Sequence, residues 1–225
     1  MDTSEVLALF RNEVRDNTAP YLWSDAECFG YMDRAQKDFC RHTGGISDSR
    51  SSVTRLTLVP GTADYRLHPS IMKIKRVGRD SDGGILELHN VEDLMELPTV
   101  ANAPTGVPEK MLVDADTDYV RLYPTPEVED TLHIFVFRRP LSPITEAAQP
   151  FEISEQHHYA LLDGVCMYAH RKQDAETFDK GRADSYEQRF LRYCDDAKHE
   201  RELREHKQRL ISYGGLPCGP ASITY

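Results

Sequence analysis

The chain has 225 residues, 40% of them hydrophobic and 28% charged, which is enough apolar material to bury a core without metal or disulfide staples. Its 27 lysines and arginines stand against 37 aspartates and glutamates, a formal charge of −10, and this argues against a general nucleic-acid binder, whose phosphate affinity would come from cationic side chains. No run of about 18 apolar residues occurs, so nothing reads as a membrane span.

In chain order, a helical pattern opens at Thr3 or Ser4, with Val6, Leu7, Phe10 and Val14 on one face, and ends between Asp16 and Pro20. A second follows Trp23. Ser24 and Glu27 form a Ser-x-x-Glu capping box, Cys28, Tyr31, Met32, Ala35, Phe39 and Cys40 make the buried stripe, and Thr43, Gly44 and Gly45 end it. The period then changes. Val53–Val59, Tyr65–Leu67, Ile71–Val77, Ile85–Leu88, Lys110–Val113, Tyr119–Tyr123 and Thr131–Arg138 read as extended runs separated by turns. They predict a compact antiparallel module of about six strands. Val91, Leu94, Met95 and Leu97 suggest one or two helical turns stopped by Pro98.

After Pro150, Ser154 reads as a helix cap, with Leu161, Leu162, Val165, Cys166, Tyr168 and Ala169 at the spacing of a buried stripe. Past Asp174, Phe178, Tyr186, Phe190, Tyr193 and Ala197 predict an amphipathic partner antiparallel to it. From Lys198 to Arg209 the stripe stops except for Leu203, while Glu200/Arg204 and Glu205/Arg209 supply i,i+4 charge pairs, so this segment should project beyond its own core. Gly214, Gly215, Pro217, Gly219 and Pro220 then forbid further helix. Tyr213, Leu216, Ile223 and Tyr225 are too apolar for a tail that stays in water, which implies a partner.

The expected fold class is α+β: an α-helical bundle of two N-terminal and two C-terminal helices (1–50 and 141–211) with an inserted antiparallel β module (51–140) and an extended C-terminal arm (212–225). Ile46–Ser52 and Pro140–Pro150 would be the linkers. The candidate partner-interface residues are Leu203, Leu210, Tyr213, Leu216, Ile223 and Tyr225.

The motifs of chemistry are weak. His157 and His158 are adjacent, so on a helix they point about 100° apart and cannot share a metal as a HExxH pair does. Cys40 and His42 lack a second ligand cluster, and Asp114, Asp116 and Asp118 alternate like a cation loop without its glycine or closing glutamate. A metal-dependent hydrolase using His157, His158 and the Asp114–Asp118 loop has the wrong ligand spacing. Gly83-Gly84 and Gly214-Gly215 lack the lysine and setting of a phosphate loop. Five cysteines without a CxxC pair, and no apolar leader, fit free thiols in a reducing cytosol. Lys73, Lys75, Arg76 and Arg79 alternate with Met72, Ile74 and Val77 and mark the solvent face of a half-buried strand. No enzyme and no cofactor is expected.

Several short segments, in order over roughly residues 20 to 200, carry a resemblance. They are Trp23-Ser24 with Ala35 and Cys40-Arg41-His42-Thr43; Val59-Pro60-Gly61 with Asp64-Tyr65-Arg66-Leu67-His68-Pro69; and Gly106-Val107-Pro108. Val120-Arg121-Leu122-Tyr123-Pro124-Thr125-Pro126, Arg138-Arg139-Pro140-Leu141 and His157-His158-Tyr159-Ala160-Leu161-Leu162 with its Asp174 break complete the set. Together they resemble the head-to-tail connector, or adaptor, proteins of tailed bacteriophages, including the tail tubular proteins. The resemblance implies a non-enzymatic virion protein of the neck between capsid and tail, present in the host cytoplasm during assembly. It implies a homo-oligomeric ring, usually twelvefold, with the portal protein above, tail or nozzle proteins below, and DNA passing through without sequence-specific binding. An acidic lumen would not grip that polyanion. The competing expectation is a monomeric protein-binding adaptor that uses the same arm.

Overall fold

The computed structural model describes residues 1–90 and 103–205. Helix α1 (Thr3–Val14) starts at Asp2, whose carboxylate accepts from the Glu5 N–H while Glu5 accepts from the Asp2 N–H, both at 2.9 Å. The Ser24/Glu27 box is formed at α2 (Asp25–Thr43), which ends on left-handed Gly44. Helix α3 (His158–His170) is buried on most sides because it packs against α1, α2 and the 26-residue α4 (Lys180–Glu205). Arg171 pairs with Glu187, His170 stacks on Tyr186 and Tyr193 donates to the Gln156 carbonyl, so α4 runs antiparallel to α3. Trp23 closes this core, donating its indole N–H to the Ala169 carbonyl at 3.1 Å.

Helices α2 and α3 meet at Gly164, where a Cβ would lie 2.8 Å from the Ala35 Cβ and 3.2 Å from the Phe190 ring. No real Cβ contact is that short, and both neighbours are themselves buried. Gly164→Val should therefore destabilise the chain by about 1–3 kcal/mol despite valine's better helix propensity, read as a lower urea midpoint. An unchanged midpoint would show that α2 and α3 can separate at no cost.

The described residues hold ten strands, the longer of which show the alternation expected of half-buried sheet: β1 (Ile46–Asp48), β2 (Arg55–Leu58), β3 (Asp64–Arg66), β4 (Ile71–Arg79), β5 (Ile85–His89), β6 (Thr105–Gly106), β7 (Lys110–Asp116), β8 (Tyr119–Tyr123), β9 (Thr125–Pro126) and β10 (Asp130–Arg138). Eight form one curled sheet in the order β1-β10-β4-β5-β7-β8-β3, with β2 also on β10. Its inner face buries Leu58, Val77, Met111, Leu122, Leu132 and Ile134. Register breaks opposite Phe135/Val136 and Phe137/Arg138 put Lys75 and Met72 in bulges on β4, and such bulges bend a sheet.

The expected bundle of two plus two helices with a small inserted antiparallel β module is not the fold. The chain is mixed α+β, with a curled sheet of half-barrel form and four α-helices among the described residues. The sheet is not wholly antiparallel: β5 pairs parallel with β7, and β6 with β9. Ile46–Asp48, expected to be linker, is strand β1 on the edge beside β10. Two smaller differences concern α3 and α4. Ser154 makes no side-chain cap, and a single 3₁₀ turn at Glu155–His157 precedes α3. Phe178 is 53% exposed and lies ahead of α4, while Ala183 and Cys194 fill the stripe instead. The helical turns expected at 91–97 and the segment from 206 onward lie outside the described residues.

Candidate partner interface

The C-terminal half of α4 carries the stripe Phe190, Cys194 and Ala197, all buried, and the next position at helical spacing is Arg201. Its guanidinium donates to the Gly45 carbonyl at 2.8 Å and lies 4.4 Å above the centre of the Phe137 ring. An arginine thus finishes an apolar stripe by laying its stem on the core and its head on a backbone carbonyl. The sequence predicts that Lys198–Arg209 projects beyond its own core. The helix is held as far as Arg201, because that side chain reaches the turn between α2 and β1. The charge pattern of this segment gives no sign of Arg201's role, because an arginine does not register in an apolar stripe. The i+4 step from Ala197 was the available signal.

Leu203 sits two residues on, about 200° round the helix from Arg201, and is 64% exposed. Among the predicted interface residues it alone is described; Leu210, Tyr213, Leu216, Ile223 and Tyr225 lie outside the described residues. No other large apolar group joins Leu203 among the described residues of α4's last turns. Glu200 pairs with Arg204 at 3.8 Å, as the spacing predicts.

Beneath this end of α4 is a cleft of about 610 Å³ where the helices meet the sheet. Phe39, Ile46, Ile153 and Ala197 line its apolar part, and Lys75, Arg201 and Arg204 supply positive charge. His157 forms part of the wall, 5.1 Å from the Phe39 ring centre and 6.0 Å from that of Tyr193. Burial lowers its pKa, opposed by Glu200, so the ring is neutral at pH 7. His158 turns the other way, its Nε2 3.1 Å from the Ile153 carbonyl oxygen. The two histidines are thus parted, and the described residues contain no group of three or more His, Cys, Asp or Glu able to hold a metal ion.

Cys28, Cys40, Cys166 and Cys194 are free and buried. Burial pushes the Cys28, Cys40 and Cys194 thiols up to about 12, so they are packing groups and poor nucleophiles at neutral pH.

This geometry brings together a charged helix with one exposed leucine and a cleft whose apolar walls are bordered by Lys75, Arg201 and Arg204 together with Glu152 and Glu200. No curated protein matches the chain. The family model described as SU10 adaptor protein matches residues 1–211, from the start of α1 through all of α4, and the chain belongs to this family of phage adaptor proteins.

Proposed function

We propose that this phage structural protein assembles as a ring in the neck of the virion, joining the portal to the tail and letting DNA pass through its centre. Family membership supplies the coarser half of that reading: a phage adaptor is a virion component that contacts other virion components. The observation that carries the finer half is the end of α4. A solvated helix keeps Leu203 exposed and leads directly into a sequence holding Leu210, Tyr213, Leu216, Ile223 and Tyr225. Apolar groups in such a setting gain most when a partner covers them, and ordering them on binding makes association wait for the right surface. The charge of −10 supports a lumen that repels phosphate and so lets DNA slide. The role is assembly, with no catalytic step.

Deleting residues 216–225 tests this. Electron micrographs of the full chain mixed with portal rings should show a second ring stacked on each portal. The truncated chain should keep its circular-dichroism spectrum and leave the portals bare. Stacked rings formed by the truncated chain would overturn the role of the arm, and a full chain that binds portals only as scattered monomers would replace the ring with a monomeric adaptor.

A further inference from the structure

The outer face of the sheet, opposite its core, is exposed across β2, β10, β4 and β5 as far as Phe135, and beyond that point Phe137 is buried under the Arg201 guanidinium. Register places Arg55, His133, Gly78 and Ile85 in one row across these strands, Phe135 and Arg76 in the next, and Phe137 and Lys73 in a third. Ile85 is 57% and Phe135 42% exposed, and Arg55, Lys73 and Arg76 are exposed beside them. These three cations form no ion pair among the described residues, although the chain has ten more acids than bases. Gly78 leaves a notch between His133 and Ile85, with nothing but the Gly84 carbonyl at 3.8 Å near where a Cβ would be. Acids reach only the rim, where Asp80 meets His133 at 3.1 Å and Glu87 follows Ile85.

We infer that this face is a subunit interface, docking against an acidic surface of a second copy of the chain. The inference rests on the ring reading above and gives it a contact surface. Charge complementarity selects the occupant: copies carrying −10 each repel, so a ring needs one face of opposite sign, and the cations here concentrate on one side of a sheet. A ring is built from unlike faces of identical subunits, which a basic face meeting an acidic one satisfies. Phe135 and Ile85 stand as apolar anchors inside a charged surround, the anatomy of a protein interface. Nucleic acid is the poorer fit, because a few cations on an acidic chain give few phosphate contacts.

The test is sedimentation of the full chain, with and without portal rings, at low and high salt. Arg76→Glu/Phe135→Ser should weaken self-association about tenfold or more, and wild-type association should weaken as salt screens the charges. Arg192→Glu, the same charge change on an exposed position of α4, should leave association within about twofold. If the double variant loses its native circular-dichroism spectrum, Arg55→Glu/Arg76→Glu replaces it, since both side chains are solvated. A double variant that assembles like wild type overturns this face and leaves the ring standing. A wild type that never assembles, alone or on portals, overturns both. Binding of a labelled DNA duplex that the double variant abolishes would assign the face to a polyanion and overturn the proposal.

Discussion

Arg138→Ala should cost about 3–5 kcal/mol of folding stability, lowering Tm by roughly 10 °C, because it strands two carboxylates that a single guanidinium now neutralises. Arg138 Nε bonds Asp48 and its Nη1 donates to Glu152 at 2.6 Å and to its neighbour Arg139's carbonyl at 3.0 Å. The side chains of Arg138 and Asp48 are only 10% and 8% exposed. Glu152 also accepts from the Leu141 and Ser142 N–H groups, and its own N–H is held by Gln36 of α2. Arg138 therefore ties β1 and β10 to the loop before α3, which Gln36 in turn fastens to α2. Urea unfolding should give a lower midpoint at unchanged m. Restoring charge balance with Asp48→Asn and Glu152→Gln in the same chain should recover much of the loss, which a simple cavity would not do.

The same cluster makes the stability of the fold depend on pH in acid. Burial works against the Asp48 charge, but the Ser51 hydroxyl, Arg138 and the Arg50 and Ser51 backbone N–H groups outweigh it and hold its pKa well below the usual carboxylate range. A folded pKa below the unfolded one contributes stability above about pH 4, and that contribution is lost as pH falls through the folded value. Wild type should lose stability across that acid window, and Arg138→Ala should lose less there because part of the depression has already gone. Equal slopes for the two proteins would show that Ser51 and the backbone alone hold the Asp48 proton off.

How much of this could be read from the sequence follows from how local each signal is. The Ser24/Glu27 box, the stripes of α2 and α3 and seven of the ten described strands are signalled by patterns within a few residues, and they are present in the structure. Strands β1, β6 and β9 have two or three residues each, too few to show alternation, and exist because a longer neighbour supplies the hydrogen bonds. The parallel pairing of β5 with β7 is likewise set by where the chain returns, which no local pattern encodes. The same blindness produced the bundle expectation: helix periodicity identified four helices, while the extent of the sheet beside them depended on long-range pairing. At the candidate interface, Leu203 was legible as an isolated leucine among charges. Arg201 is legible only as the i+4 step from Ala197, while its hold on Gly45, 156 residues away, is not.

Gly45→Val should destabilise the chain by roughly 3 kcal/mol and do so at the place that aims α4. Gly45 has φ +94, a conformation that valine adopts only under strain, and its Cβ would lie 2.9 Å from the Arg138 carbonyl oxygen. That carbonyl cannot retreat cheaply, because Arg138 faces Ile46 in the β1–β10 ladder and Ile71 in the β10–β4 ladder. The strain must then come out as a displaced β1, and with it the Gly45 carbonyl that holds Arg201. Since Arg201 is the last residue fixing α4 before the exposed Leu203, the helix end should lose its hold while its buried half, at Phe190 and Cys194, keeps its packing. Hydrogen exchange separates the two: amides of β1 and of α4 after Ala197 should exchange faster, and those of α3 and of α4 before Cys194 should not. Uniform acceleration would mean global destabilisation, with no special role for this turn. Exchange confined to β1 and the end of α4 would show that a glycine between α2 and β1 governs how the end of α4 is held.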